Sequence, residues 1–212
     1  MTFAFLGRGA GAARDRQRAA YFDLCRPGLH PTRKGATPCG FARLAGRHRG
    51  RSFDLQALPD ALSYRKLPCL WLMVTLTEPM PVAATLDFMV RPSGAEVFSN
   101  FAALAHQLAL PAGFPAATLL RTDAPDRLPP IDILDACAGL LAAERAKELV
   151  ISPKGLRLVW LAEEADRSRY LWFRDSELGR RPLAPEVLGP LMDGLVGLAG
   201  KLAPATAAEG VA

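Results

Sequence analysis

The chain has 212 residues, half of them hydrophobic and 22% charged, with a formal net charge of +5. That size suits one ordinary domain or two small ones, and the apolar content supplies a core and excludes global disorder. The charge is uneven: residues 1–51 hold eleven Lys/Arg against two acids, +9, while the rest of the chain carries −4.

The opening Met-Thr-Phe-Ala-Phe-Leu is too short for a signal-peptide core, and no apolar run approaches the roughly 18–20 residues of a membrane span. A cytoplasmic protein without a transmembrane segment is expected, and its four cysteines, at irregular spacing, are expected to be reduced thiols. The basic N-terminal quarter is suited to phosphates on nucleic acid or to an anionic surface. Ten of its eleven cations are arginine, in a chain rich in Ala, Arg, Gly and Pro, and GC-rich coding produces that composition on its own.

In chain order, residues 12–24 suggest a short helix with Ala13, Gln17, Ala20, Tyr21 and Leu24 on one face. Residues 26–40, with Pro27, Pro31, Pro38 and three glycines, read as a loop. Two short strands, 41–45 and 51–58, flank the turn Gly46-Arg-His-Arg-Gly50. The stretch 69–76, apolar except for Thr75, reads as a strand buried on both faces, which needs cover from helices or from a second subunit. After the turn Thr77-Glu-Pro-Met-Pro81, residues 82–90 alternate, with Leu86 and Phe88 on one side and Asp87 and Met89 on the other. This pair is expected to form a hairpin.

Ser93 and Glu96 have capping-box spacing, and Val97, Phe101, Leu104, Ala105 and Leu108 then recur with helical period up to Pro111. Residues 117–122 suit a strand, 131–147 a helix, and 147–151, 156–162 and 169–174 a second antiparallel set, with Ser152-Pro-Lys-Gly155 as its first turn. A final amphipathic helix covers 187–202. The expected fold is α+β, a mainly antiparallel sheet with about three amphipathic helices packed on it. In domain terms this gives a basic, partly irregular extension (1–40), a single α+β domain (41–203) and a flexible tail (204–212).

Chemistry-bearing residues gather in few places. Cys25, His30, Cys39 and His48 offer two thiolates and two imidazoles to zinc, but without a short Cys-x2-4-Cys knuckle and among arginines. Arg43, Arg47, Arg49 and Arg51 surround a tight turn and are candidates for anion binding; with Arg14, Arg16 and Arg18 they form the candidate nucleic-acid surface. Asp123, Asp126, Asp132 and Asp135 cluster at a helix start, where they would hold a divalent ion or, more plainly, complement the helix dipole. Ser99 and His106 lie two turns apart on the expected helix, about 10 Å at 1.5 Å per residue, beyond hydrogen-bond reach. Trp160, Tyr170 and Trp172 interleave with Arg157, Arg169 and Arg174, a pattern that suits base stacking or simple cross-strand packing. Gly7-Arg-Gly-Ala-Gly11 fits no phosphate loop, Cys137 faces a helix core, and no cofactor is expected.

The segments Gly46-Arg-His-Arg-Gly-Arg51, Leu58-Pro-Asp-Ala-Leu62, Arg65-Lys-Leu-Pro-Cys-Leu-Trp71 and Ile151-Ser-Pro-Lys-Gly-Leu-Arg157 resemble uncharacterised bacterial α+β proteins. The likeness is a strand pattern over roughly 41–202 and implies no activity. With no acid, base and nucleophile set in view, the expected function is binding or assembly, including homo-oligomerisation. The alternatives are nucleic-acid or anionic-surface binding through the Arg-rich quarter, and a metal-dependent enzyme using the Asp123–Asp135 cluster.

Overall fold

The computed structural model describes residues 4–60, 67–94, 96–173 and 178–203; the expected tail at 204–212 lies outside the described residues. The helices are α1 (Ala4–Ala19), α2 (Ile131–Leu141), α3 (Arg167–Phe173) and α4 (Pro185–Leu202). The strands are β1 (Arg33–Ala36), β2 (Ala42–His48), β3 (Arg51–Asp60), β4 (Cys69–Leu76), β5 (Leu86–Val90), β6 (His106–Leu108), β7 (Thr118–Thr122), β8 (Ala146–Ser152) and β9 (Gly155–Glu164). They hydrogen-bond in the order β1-β2-β3-β4-β9-β8-β5-β7-β6. The pairs β1/β2, β2/β3, β5/β7, β5/β8 and β6/β7 are antiparallel. The chain is therefore α+β with a mainly antiparallel sheet, as expected. Among the described residues no helix is long and apolar enough to cross a membrane.

The chain divides into two compact units, one of Met1–Val74 and Trp160–Pro190, the other of Thr75–Val159 and Leu191–Ala212. In the first, β2 and β3 form a hairpin whose two-residue tip is Arg49-Gly50, both with positive φ (48° and 79°), between the paired His48 and Arg51. Positive φ at both central residues matches the right-handed twist of the flanking strands. The expected turn at 46–50 is thus narrower, and Gly46 lies inside β2. Its lack of a side chain serves a close approach, since a Cβ there would fall 2.9 Å from Leu29 Cβ. The core gathers Tyr21, Phe22, Leu29 and Phe41, all but inaccessible, with Tyr21 edge-on to Phe22 and Phe41 at 5.1 and 5.5 Å. The Leu183 N–H donates to the Tyr21 carbonyl at 2.7 Å. The basic N-terminal segment therefore contributes apolar side chains to this unit's core.

In the second unit β5 lies between β7 and β8. Leu86, Phe88 and Val90 point to one face, where Phe114 stacks on Phe88 at 5.5 Å. The buried residues of α2 (Ile133, Leu134, Cys137, Ala138, Leu141) and those of α4 from Leu191 onward (Leu191, Met192, Leu195, Leu198, Ala199) complete this unit's apolar packing.

Several expectations are corrected, and the first is the loop read at 26–40, of which Arg33–Ala36 is strand β1 paired with β2. The stretches 69–76 and 82–90 do not form a hairpin: β9 and β8 stand between β4 and β5. The proline-rich connection leads away from β4, and the Met80 N–H donates to the Pro153 carbonyl in the β8–β9 turn. Nor is β4 buried on both faces. Leu70, Leu72, Val74 and Leu76 are fully buried, whereas Trp71, Met73 and Thr75 are half-buried.

The helix expected from Ser93 onward does not form among the described residues. The capping contacts exist, with Ser93 N–H and Oγ donating to Glu96 Oε1 at 2.5 and 2.6 Å. The chain then makes only a 3-10 turn at Phe101–Ala103 and enters β6. Arg121 Nη1 donates to the carbonyls of Ala102 and Leu104, acceptors that a helix would have used for its own N–H groups. Finally, the strand expected at 169–174 is helical over its described residues, 169–173, within α3, and Trp172 on it is 83% exposed. An alternation of aromatic and basic residues does not by itself choose between strand and helix.

Candidate functional site

Two features of the second unit are chemically distinctive. The first is a cleft of about 470 Å³ whose lining includes Pro81, Ala83, Ala84, Leu86, Leu128 and Ile133, with Arg127, Asp132, Lys201 and Leu202. Its deep residues Ala84, Leu86 and Ile133 are buried, while Leu128 remains 44% exposed. The wall forms because the prolines at 129 and 130 carry no N–H and bring the chain extended to the start of α2, whose N-cap is Pro130. Arg127, Asp132 and Lys201 are exposed. None of the three makes an ion pair among the described residues. The lining contains no histidine, cysteine, serine or threonine.

The second feature is a buried ionic cluster on the opposite face of β5, built on Asp87 and Glu148. In register, Asp87 lies opposite Val150 on β8 and Arg121 on β7, and Met89 opposite Glu148. Asp87 and Glu148 are thus diagonal neighbours on one face, and their carboxyl groups hydrogen-bond to each other. Asp87 is 3% exposed and Glu148 is wholly buried. Arg157 Nη2 donates to Glu148 Oε2 at 3.0 Å, and Ser99 lies near enough to the same carboxylate to lower its proton affinity. Burial, and then the Glu148 charge, push the Asp87 carboxyl up to about 8. Burial also raises Glu148, against the opposing pull of Arg157.

The cluster continues to Glu96, which accepts from Ser93 and sits 3.3 Å from Lys147 Nζ. Burial alone would raise the Glu96 carboxyl, but the Ser93 hydrogen bonds and the Lys147 ammonium outweigh it and hold it below its ordinary value. Lys147 Nζ also donates to the carbonyls of Val90 and Arg91 at 2.9 and 2.6 Å. The Arg121 guanidinium lies 5.3 Å from the centre of the Phe101 ring. Residues 96–104 are thereby tied across this face of the sheet.

The residues singled out from sequence fall elsewhere. Cys25 Sγ donates to the Leu183 carbonyl at 3.2 Å, and burial raises its thiol to about 11. Cys39 Sγ reaches the Ala57 carbonyl at 3.7 Å. His48 Nδ1 lies 3.3 Å from the Gly28 carbonyl, and the His30 N–H donates to the Arg47 carbonyl. Among the described residues no group of three or more His, Cys, Asp or Glu is arranged to hold a metal. Arg43 Nε donates to the buried Asp54 at 2.5 Å. Arg47 binds the Gly50 carbonyl through Nε and Nη2. Arg49 lies in the tip of that hairpin and Arg51 beside it, and both also make contacts.

Of the aspartates, Asp123 accepts the Thr85 N–H at 2.8 Å, and Asp132 lies in the first turn of α2 without a capping bond. Asp126 and Asp135 are exposed. Ser99 accepts the Phe101 N–H and His106 is on β6, so the two share no helix. Gly7, Gly9 and Gly11 lie within α1. Sequence reasoning missed Asp87, Glu148 and the cleft. The available signal was a lone acid inside each of two apolar strands, Leu86-Asp-Phe-Met-Val90 and Ala146-Lys-Glu-Leu-Val-Ile151, since an acid in such a run is either edge-exposed or buried and partnered.

No protein-family model and no curated protein matches the chain. Among solved structures it is similar to the mycobacterial trehalose monomycolate transport factor A, TtfA, at 10% identity, covering 81% of this chain and 98% of that one with a TM-score of 0.39. A likeness of that size carries no argument about function.

Proposed function

We propose that the chain acts by binding rather than catalysis, and that the cleft of its second unit takes an amphiphilic anion, an aliphatic body ending in an acidic group. The observation that carries this reading is the cleft's composition: an apolar floor of Ala84, Leu86 and Ile133, with the cations Arg127 and Lys201, unpaired among the described residues, in its lining. A volume of about 470 Å³ suits a small ligand. The aliphatic body gains from leaving water, at roughly 25 cal/mol per Å² of apolar surface buried. The exposed cations select the head by charge more than they add affinity, since such pairs contribute about 0.2–1 kcal/mol each. The lining holds no histidine, thiol or hydroxyl side chain, and its one carboxylate, Asp132, and its amine, Lys201, are both exposed.

The test is binding of laurate, and of dodecyltrimethylammonium as its cationic counterpart, below their micellar concentrations, by calorimetry and native mass spectrometry. Saturable one-to-one binding of laurate is expected, with the cation at least tenfold weaker. Ala83→Trp should abolish binding by filling the cleft, and Arg127→Glu with Lys201→Glu should weaken it roughly 5–10-fold. Equal binding of both amphiphiles, or laurate binding that survives Ala83→Trp, would overturn the reading.

A further inference from the structure

We propose that Asp87 and Glu148 form a proton-sharing latch: holding one proton between them they keep residues 96–104 seated on the sheet, and on losing it they release that strap. The argument begins with charge. Three carboxyl groups, Asp87, Glu96 and Glu148, meet three cations, Lys147, Arg121 and Arg157, but the cations are not evenly shared. Lys147 serves Glu96 and two backbone carbonyls. Arg157 serves Glu148. Arg121, although opposite Asp87 in register, directs its guanidinium to the carbonyls of Ala102 and Leu104 and over Phe101. Among the described residues Asp87 makes no ion pair, its closest electrostatic relief being Arg157, which is bonded to Glu148, and the fully buried Glu148 is its strongest acidic neighbour.

Two carboxylates in hydrogen-bond contact in a dry site do not both ionise readily, and sharing one proton relieves both the repulsion and the burial. Beyond that shared bond the second oxygens remain unsatisfied: Asp87 Oδ1 and Glu148 Oε1 are buried without partners among the described residues, as is Arg157 Nε. Ionising the pair therefore adds a charge that no hydrogen bond of this arrangement receives, since the buried donors Arg157 Nε and Arg121 Nε bond neither free oxygen, and admitting water relieves it.

The strap is what stands between this site and water. Ser99 lies beside Glu148, and Phe101, 9% exposed, packs against the Arg121 guanidinium on this face. The strands that carry the pair and its partners are held in ladders: β5 paired with β7 and β8, with β9 next to β8 in the sheet order. The strap's regular structure is one 3-10 turn of three residues, so it is the part able to yield. The class of device is a switch moving between neutral and mildly alkaline pH, with the Asp87 carboxyl titrating near 8.

The experiment uses the full chain. Carbon-detected NMR of the carboxyl groups should show Asp87 and Glu148 shifting together well above the usual carboxylate range. Amide exchange in 96–104, corrected for base catalysis, should rise at least tenfold from pH 6 to 9 while β5 and β8 stay protected. In Asp87→Asn the rise should vanish. Should that variant not fold, Glu148→Gln serves equally, because a single buried carboxylate beside Arg157 ionises at lower pH and the step moves out of the range. The proposal is overturned by carboxyl groups that all titrate below pH 6. It is also overturned by exchange that rises equally across the sheet, or by a pH step that persists in either variant.

Discussion

Removing Arg157 should destabilise the second unit by an amount that depends strongly on pH. In Arg157→Leu the Glu148 carboxylate, fully buried, loses its 3.0 Å partner, and Ser99 and Asp87 are left as its polar neighbours. Breaking a buried pair on one side costs roughly 3–5 kcal/mol. Glu148 has an escape, however, since it can take up a proton. Neutralising a carboxyl with an ordinary value of 4.5 at pH 7 costs about 3.4 kcal/mol, at 1.36 kcal/mol per unit. Protonation therefore caps the loss near 3 kcal/mol at pH 7, and near 1 kcal/mol at pH 5, where neutralising the group is almost free.

The assay has to be chosen for this unit. All three tryptophans (71, 160 and 172) and all three tyrosines (21, 64 and 170) belong to the first unit, so intrinsic fluorescence reports the wrong half. Amide exchange at Phe88 and Leu149, in the β5/β8 ladder, gives the unit's own opening free energy. Adding Glu148→Met should restore most of the loss, because the uncompensated charge disappears. A loss below 1 kcal/mol at pH 7, or an equal loss at pH 5 and pH 7, would refute the reasoning.

Gly155→Ala should cost on the order of 3 kcal/mol or more, because φ is +148° there and a Cβ would meet the Leu76 carbonyl oxygen at 2.2 Å; exchange at β8 amides measures it. Arg43→Ala should cost only about 0.5–1 kcal/mol in urea unfolding followed by tryptophan fluorescence. Arg43 is half-exposed and Gln56 Nε2 still donates to Asp54 at 2.6 Å. The second unit should pass through a stability maximum in pH. Glu96, held below its ordinary value, contributes stability that is lost as acid protonates it, and Asp87, raised to about 8, contributes stability that is lost as pH rises through that value. A monotonic pH profile from exchange would contradict one of the two. Chelation should leave Tm within about 2 °C for a chain of this length, a shift of under roughly 1 kcal/mol, since Cys25 and Cys39 are bonded to backbone carbonyls; a larger fall by calorimetry would point to a metal.

How much of this was legible in the chain differs by element, and the differences have causes. The β2–β3 hairpin could be read because Gly50 sits at a tip that demands positive φ, and α4 because its apolar period is sustained over 18 residues. Pairing between distant strands could not be read, since β9 inserts beside β4 through contacts some eighty residues apart in sequence. The strap shows the sharpest conflict. Its capping box is real and bonded, yet Arg121, far along the chain, competes for the carbonyls a helix needs, so a tertiary contact overrides a local signal. The anion-binding candidates illustrate the converse. Arg43 carries the expected charge, but Asp54, two strand positions before Gln56 and opposite Ala45 in register, lies within its reach. Asp87 and Glu148 were hidden because alternation assigned Asp87 to a polar face, whereas segment 96–104 buries that face.

The two features of the second unit meet on one strand. Leu86 lines the cleft, and Asp87, the next residue, points to the opposite face of β5. Successive residues of a strand share a backbone but not a side, so coupling between the cleft and the latch has to pass through movement of β5 itself. Its backbone is held on both edges, by β7 from Leu86 to Val90 and by β8 from Leu86 to Met89, and strap release breaks none of those ladder bonds. Linkage is reciprocal: a ligand that leaves the proton affinity of the pair unchanged has an affinity that is itself unchanged by that proton. Laurate affinity should then vary less than about twofold between pH 6 and 9, a coupling of under roughly 0.4 kcal/mol, even as the strap opens. A tenfold change across that range, absent in Asp87→Asn, would show that β5 transmits the change and that the two faces work as one device.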